Sequence, residues 1–320
     1  MTAIRTLLPV AGAILVALTV AHPPRATAEP AEPILTTSEA ILAQAVTCDS
    51  AVSLTTGRQA VLLVHGTWSN SRETWSSEYR HELSAAGFGV CTVDLPQRAT
   101  VDETRSAEYV VYAARIAYER THRKIAIIGH SQGGTLAVWA TKFWPDVARH
   151  TDDVIALSGN FGGSALAGSA CLLGCTPMSW QLRPGSHLLH AVRTAPLAEG
   201  VSYTSIATQF DEVVFPQPVG GMLPGAANIQ IQDICPGRPV DHLTIVNDAV
   251  GRAITLDALT HPGPAVEGDI DRNICAQQLL LPSQDLLDTT AVATVVTNTL
   301  NDGAFVAAEP ALPPYALPFG

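Results

Sequence analysis

Residues 125–140, IAIIGHSQGGTLAVWA, run from an apolar stretch through a glycine into His130-Ser131-Gln132, then through two glycines into a second apolar stretch. Gly129-His130-Ser131-Gln132-Gly133 fits G-x-S-x-G. A strand before it and a helix after it are the context in which that pentapeptide forms a nucleophile elbow. Such a turn is sharp and strains the serine backbone. Side chains at the flanking positions would clash, which accounts for glycine on both sides. The turn lifts the hydroxyl above the sheet and aims the first N–H groups of the helix at the reacting atom. The chemistry available is attack by a serine oxygen on an acyl carbon. The alternative for so short a motif is an ordinary glycine-rich turn.

A serine hydroxyl needs a base, and the base needs an acid to orient it. In this strand-turn-helix setting the chain order is Ser, then Asp or Glu, then His. His150, His187, His190, His242 and His261 follow Ser131. Asp211 leaves the end of the strand-like run Val201–Ala207, where the acid is expected, with Glu212 beside it as a rival. His242 lies in a loop after the next strand-like run, Ile229–Ile231, and just before a helix, where the base is expected. Asp241 adjoins His242 directly and reaches back to its ring only with difficulty. His261 comes after that helix, at the wrong end. His187 and His190 fall on a helix of an insertion, and His150 follows a helix and reads as solvated. The negative oxygen of a tetrahedral intermediate needs fixed donors. One is the N–H of Gln132. The loop in 61-VLLVHGTWSN-70 supplies the other through Thr67, by its N–H and its hydroxyl.

The elements that must position these groups alternate. Ala60–Val64, Gly89–Val93, Lys124–Ile128, Val154–Leu157, Val201–Ala207 and Ile229–Ile231 read as buried strands. Ala107–Tyr118 has apolar side chains at helical spacing, Thr135–Trp144 is a helix stopped by Pro145, and Asp248–Leu259 is a late helix. Alternation of this kind predicts an α/β fold with a mostly parallel central sheet covered by helices on both faces. Residues 29–47 read as a loop-rich entry. Residues 162–200 do not fit the alternation and are expected as a cap insertion over the sheet edge. The proline-rich tail 307–320 is expected to lie extended against the domain or to dangle.

Residues 1–28 read as a signal peptide: Arg5, an uncharged apolar run Leu7–Val20, then Ala26-Thr27-Ala28 as a cleavage pattern. That run falls short of a membrane span, and no other stretch qualifies. The expectation is a secreted, extracellular protein with one domain over 29–320, not integral to a membrane. Removing residues 1–28 takes two of the 18 basic residues and no acidic one, so the net charge moves from −11 to −13. An acidic surface argues against nucleic acid as a partner. Six cysteines in an exported chain suggest disulfides. No Cys/His set has metal-ligand spacing, so no metal or cofactor is expected.

Several separated stretches resemble the Candida antarctica lipase B-like secreted lipases of the α/β-hydrolase superfamily. They are 62-LLVHGTWSN-70, 131-SQGG-134, 179-SWQLRPGSHLLHAVR-193, 211-DEVVFPQ-217, 228-NIQIQDIC-235, 241-DH-242 and 309-EPALPPYALPF-319, in constant order over nearly the whole mature chain. The resemblance implies an α/β-hydrolase fold and a lipase or carboxylesterase acting on acylglycerol-type esters. It implies Ser131, Asp211 and His242 as triad, Thr67 and Gln132 as oxyanion hole, and Cys48–Cys91 and Cys235–Cys275 as disulfides. His130 departs from the family, which has tryptophan there, as does Asn160, where the family has aspartate. Cys171 and Cys175 are extra, and a short bridge between them would stiffen the cap. The apolar stretch 165–173 and Leu188-Leu189 would line an acyl pocket or meet a lipid surface. An ester or lipid substrate, at a lipid–water interface, and a monomeric state are the expected partners. An acyltransferase with the same triad is the alternative. A binding module on a dead hydrolase scaffold would need a lost triad member, and none is lost.

Overall fold

The structure, a computed structural model, describes residues 32–50, 52, 59–75, 78–171, 174–277, 297 and 305–320. The leader assigned to residues 1–28 lies outside them, as do Leu172 and Leu173 of the insertion. Seven strands form one sheet: β1 (Val46–Cys48), β2 (Ala60–Val64), β3 (Gly89–Val93), β4 (Ile125–His130), β5 (Thr151–Leu157), β6 (Ser202–Ala207) and β7 (Ala227–Gln230), in the spatial order β1-β3-β2-β4-β5-β6-β7. Every pairing is parallel except β1 with β3. Strands covered on both faces carry no polar alternation, which is why β2 reads AVLLV and is buried throughout. Successive side chains still part to opposite faces. Leu62, Val64, Ile127 and Val154 join the core under the helices Glu103–Thr121 and Gln132–Phe143. Val61, Leu63, Ile128 and Ile155 join the core under Ala249–Thr260, with Trp75 and Tyr79.

Three sequence-based expectations change. The entry segment 29–47 is not simply loop, because it holds a helix, Glu39–Gln44, and most of β1. β1 is three residues long and half-exposed, so it carries no apolar signature; Cys48, bonded to its register partner Cys91, ties it to the sheet. The last strand ends at Gln230, and Ile231 opens the helical turn Ile231–Ile234. A capping box causes the change: Gln230 N–H donates to the Asp233 carboxylate, and the Gln230 side chain accepts from the Asp233 backbone. Finally, the insertion 162–200 does not lie over the sheet edge, since β5 and β6 are direct neighbours inside the sheet. Its helices Pro177–Gln181 and His187–Thr194 sit on the helical layer instead, the one against Glu103–Thr121 and the other against Gln132–Phe143, and Ala165–Ala170 packs on Pro177–Gln181.

The tail 307–320 docks rather than dangles. The Glu309 carboxylate accepts the His187 and Leu188 N–H groups, 3.0 Å each, at the start of the third insertion helix. Val306, just before it, pairs with Cys175 and accepts Trp180 Nε1–H at 2.9 Å. Tyr315 enters an aromatic cluster with Trp139, Phe143 and Trp144. The tail thus straps the insertion to the helix that follows Ser131. Cys171–Cys175 and Cys235–Cys275 are the other two disulfides. No helix among the described residues is long and apolar enough to cross a membrane.

Candidate active site

β4 ends at His130 and the helix begins at Gln132, so the chain reverses at Ser131. Ser131 takes φ 55° and ψ −125°, a region that non-glycine residues rarely enter. Its N–H is held by the Leu157 carbonyl at 2.8 Å, at the end of β5. The flanking glycines answer to space rather than to φ. A Cβ on Gly129 would lie 2.3 Å from the Gly133 carbonyl group, and one on Gly133 would lie 2.3 Å from the Val64 oxygen. Ser131 opens onto a cavity of about 470 Å³. Leu166, Ala167, Met178 and Leu182 of the insertion, with Val213, Val214 and Leu243, make its apolar wall. Thr67, Ser69, Glu73 and Arg98 form a polar side. The insertion therefore roofs the serine.

His242 lines the same cavity, and its Nδ1 lies 2.9 Å from both carboxylate oxygens of Asp211. Asp211 is buried and also accepts the Val213 and Val214 N–H groups at 3.0 and 2.7 Å. Burial pushes its carboxyl up. The His242 hydrogen bond and charge and the Val214 N–H outweigh that, and the carboxyl is held below the usual range. Ser131 and His242 face the cavity together but make no hydrogen bond in the resting geometry. A nucleophile–base bond is often long in a free enzyme and closes with substrate.

The rival acids have local work. The Glu212 carboxylate accepts the His242 backbone N–H at 3.1 Å, away from the ring. Asp241 accepts the Leu243 and Thr244 N–H groups and the Thr244 hydroxyl, an Asx turn at the base of the loop. Of the other candidate bases, none of His150, His187, His190 and His261 lines the cavity, although His130 does. His187 and His190 are exposed on their helix. His150 is half-buried rather than solvated, stacked on Tyr118 with ring centroids 3.5 Å apart. His261 pairs with Asp257 at 2.8 Å, a bond that raises its pKa, and one ligand atom each of Asp257, His261 and Asp269 lie within 4.8 Å of one another at that surface.

On the donor side, the Thr67 hydroxyl donates to Gln132 Oε1 at 2.5 Å, so the loop after β2 is bonded to the first residue after Ser131. That loop is braced from behind. Trp68, at φ 62°, exchanges hydrogen bonds with Arg98: its N–H meets the Arg98 carbonyl at 2.8 Å and its carbonyl accepts the Arg98 guanidinium, which also pairs with Glu73. Asn160 is fully engaged, giving Nδ2–H to the Leu182 carbonyl at 3.0 Å and accepting the Gly163 N–H at 2.9 Å, where the insertion leaves β5.

Three buried groups around the site carry no role that the sequence reading assigned. His65 accepts the Leu95 N–H on Nε2 and therefore carries its proton on Nδ1, facing the Gly66 carbonyl at 2.7 Å. Burial lowers its pKa to about 4. His130 donates from Nε2 to the His242 carbonyl at 2.9 Å, and burial, then the nearby His242, lower its pKa to about 3. Both rings are neutral at pH 7. The third is Glu103, bonded to the Gln132 side-chain nitrogen.

The parallel sheet covered by helices on both faces, with a strained serine between β4 and the helix that follows it, is an architecture that the comparisons match. The chain belongs to the alpha/beta hydrolase family, whose profile matches residues 61–299. It is similar to lipase B of Pseudozyma antarctica, with 28% identity over 303 residues, covering 90% of this chain and 87% of that one. Its fold is similar to the crystal structure of Aspergillus fumigatus lipase B, with a TM-score of 0.78 and 26% identity, covering 90% of this chain and 74% of that one.

Proposed function

We propose that the protein hydrolyses carboxylic esters, as a lipase or carboxylesterase, through Ser131, His242 and Asp211. His242 Nε2 takes the Ser131 proton as Oγ attacks the ester carbonyl. The alcohol leaves with that proton, and an acyl-enzyme remains. Water then attacks the acyl carbon with His242 again as base, releasing the acid and freeing Ser131. Asp211 holds the ring with its proton on Nδ1 and stabilises the charged form. The Gln132 and Thr67 donors take the negative oxygen of each tetrahedral intermediate. The observation that carries the reading is His242, bonded to Asp211, opening with Ser131 onto one apolar-walled cavity. Export through the 1–28 signal peptide and a single domain over 29–320 complete it, and the three disulfides suit an oxidising compartment. Ser131→Ala should abolish hydrolysis of p-nitrophenyl butyrate while circular dichroism stays native. Activity near wild type in that variant would refute the site.

A further inference from the structure

Glu103 opens the helix Glu103–Thr121 and is 1 % exposed. Its carboxyl is not needed to cap that helix, because Asp102 already takes the Thr104 N–H at 2.8 Å. The side chain turns inward instead. Oε1 accepts from Gln132 Nε2, while Oε2 is buried without a partner. Gln132 is itself wholly buried, and the other end of its amide accepts the Thr67 hydroxyl. Glu103, Gln132 and Thr67 thus form an unbroken chain that ends on the cavity wall. The Glu103 backbone N–H donates to Gln181 Oε1 at 2.8 Å, which ties the same point to the insertion. Burial, with the Asp102 charge second, pushes the Glu103 carboxyl well above the usual range.

A primary amide has one accepting end and one donating end. Whatever grips one end decides what the other offers. Glu103 Oε1 grips the nitrogen, so the oxygen faces Thr67 and the Thr67 hydroxyl has a fixed partner. Without Glu103 the buried amide is free to flip, and Thr67 is left without a fixed anchor. A small misplacement of a group that meets developing charge lowers the rate and leaves ground-state binding intact.

We propose that Glu103 is a positioning residue of the oxyanion hole, gripping the Gln132 side chain so that it fixes Thr67 beside Ser131. The inference rests on the reading of Thr67 and Gln132 as the oxyanion donors. Glu103 lies outside the cavity lining.

The test is steady-state kinetics on p-nitrophenyl butyrate, with each variant's active sites counted by a phosphonate ester. Glu103→Leu should lower kcat about tenfold, a fraction of the loss of a whole oxyanion donor, with KM within about twofold. Glu103→Gln keeps an acceptor oxygen at the same place and should stay within about twofold of wild type. Thr67→Val combined with Glu103→Leu should be no slower than the slower single variant, because both cut one chain. Gln132→Met cuts the same link from its other end and keeps the backbone N–H. It should match Glu103→Leu, and it decides the matter if Glu103→Leu does not fold. Wild-type kcat in folded Glu103→Leu or in Gln132→Met, equal losses in Glu103→Gln and Glu103→Leu, or multiplying losses in the double variant would each overturn the proposal. An inactive Ser131→Ala beside an unimpaired Glu103→Leu removes only this inference, whereas an active Ser131→Ala removes the site itself.

Discussion

Asp211→Asn isolates what the buried carboxylate does for His242. The replacement is isosteric, so the geometry is kept and only the donor pattern changes. Val213 and Val214 both donate to Oδ1 of Asp211. An asparagine there keeps its oxygen on those two N–H groups and turns its nitrogen toward His242. A nitrogen donor facing His242 Nδ1 forces Nδ1 to accept, and the ring proton moves to Nε2. The base is then protonated on the face that must receive the Ser131 proton. The same change in a serine triad lowers kcat about 10⁴-fold, or roughly 5.5 kcal/mol at about 1.4 kcal/mol per decade. KM should hold within about threefold, because Asp211 lines none of the cavity. Glu212→Gln is the matched control: its carboxylate bonds the His242 backbone N–H and not the ring, so kcat should fall less than about fivefold. Stopped assays of purified, folded variants on p-nitrophenyl butyrate read both. An Asp211→Asn enzyme within tenfold of wild type, or a Glu212→Gln enzyme damaged as badly as Asp211→Asn, would refute the assignment of the acid.

The disulfides should differ in worth according to the chain they close. Cys48–Cys91 joins residues 43 apart and Cys171–Cys175 residues 4 apart, so loop entropy assigns roughly 4 and roughly 2 kcal/mol. Urea denaturation of the paired serine variants should place the first clearly below the second. His130 should make the protein acid-sensitive. Its folded pKa of about 3 is depressed from 6.5, so its contribution is present above pH 6.5 and lost as pH falls toward 3. Across that window wild type should lose up to about 1.4 kcal/mol per pH unit relative to His130→Gln, whose amide still donates to the His242 carbonyl. Parallel stability curves for the two proteins between pH 4 and 6 would contradict a buried neutral ring.

The Asp211–His242 pairing was legible in chain order, and the fold was legible where it follows strand hydrophobicity. Asp211 stood out because it follows a strand by a few residues and His242 because it lies in a loop between the next strand and a helix, and their neighbours Glu212 and Asp241 turn out to bond backbone N–H groups. β1 was hidden because three half-exposed residues held by a disulfide need no apolar pattern. The end of β7 was missed because a capping box competes with the strand at Gln230. The placement of the insertion followed from helix faces that only three-dimensional packing reveals. Glu103 carried no signal at all: an acidic residue after Asp102 at the start of a helix looks like ordinary dipole compensation. Its inward turn depends on Gln132, which is distant in the chain. The tail was expected extended or dangling, yet it ends in a 3-10 turn, Leu317–Phe319, and its docking depends on one carboxylate, Glu309, meeting two N–H groups from the insertion.

The crowding between β2 and the serine turn has a consequence for anyone who wishes to rebuild this enzyme. A Cβ on Gly133 would meet the Val64 and His65 oxygens at 2.3 and 2.6 Å, and one on Gly66 would meet the Ser131 Cβ at 2.9 Å. The two segments are therefore a single mould, cast against each other atom by atom. Transplanting residues 64–70 from a relative without residues 129–134, or the reverse, mates two surfaces that were never fitted. Modular exchange in this scaffold has its seam elsewhere, and these two loops travel together or not at all.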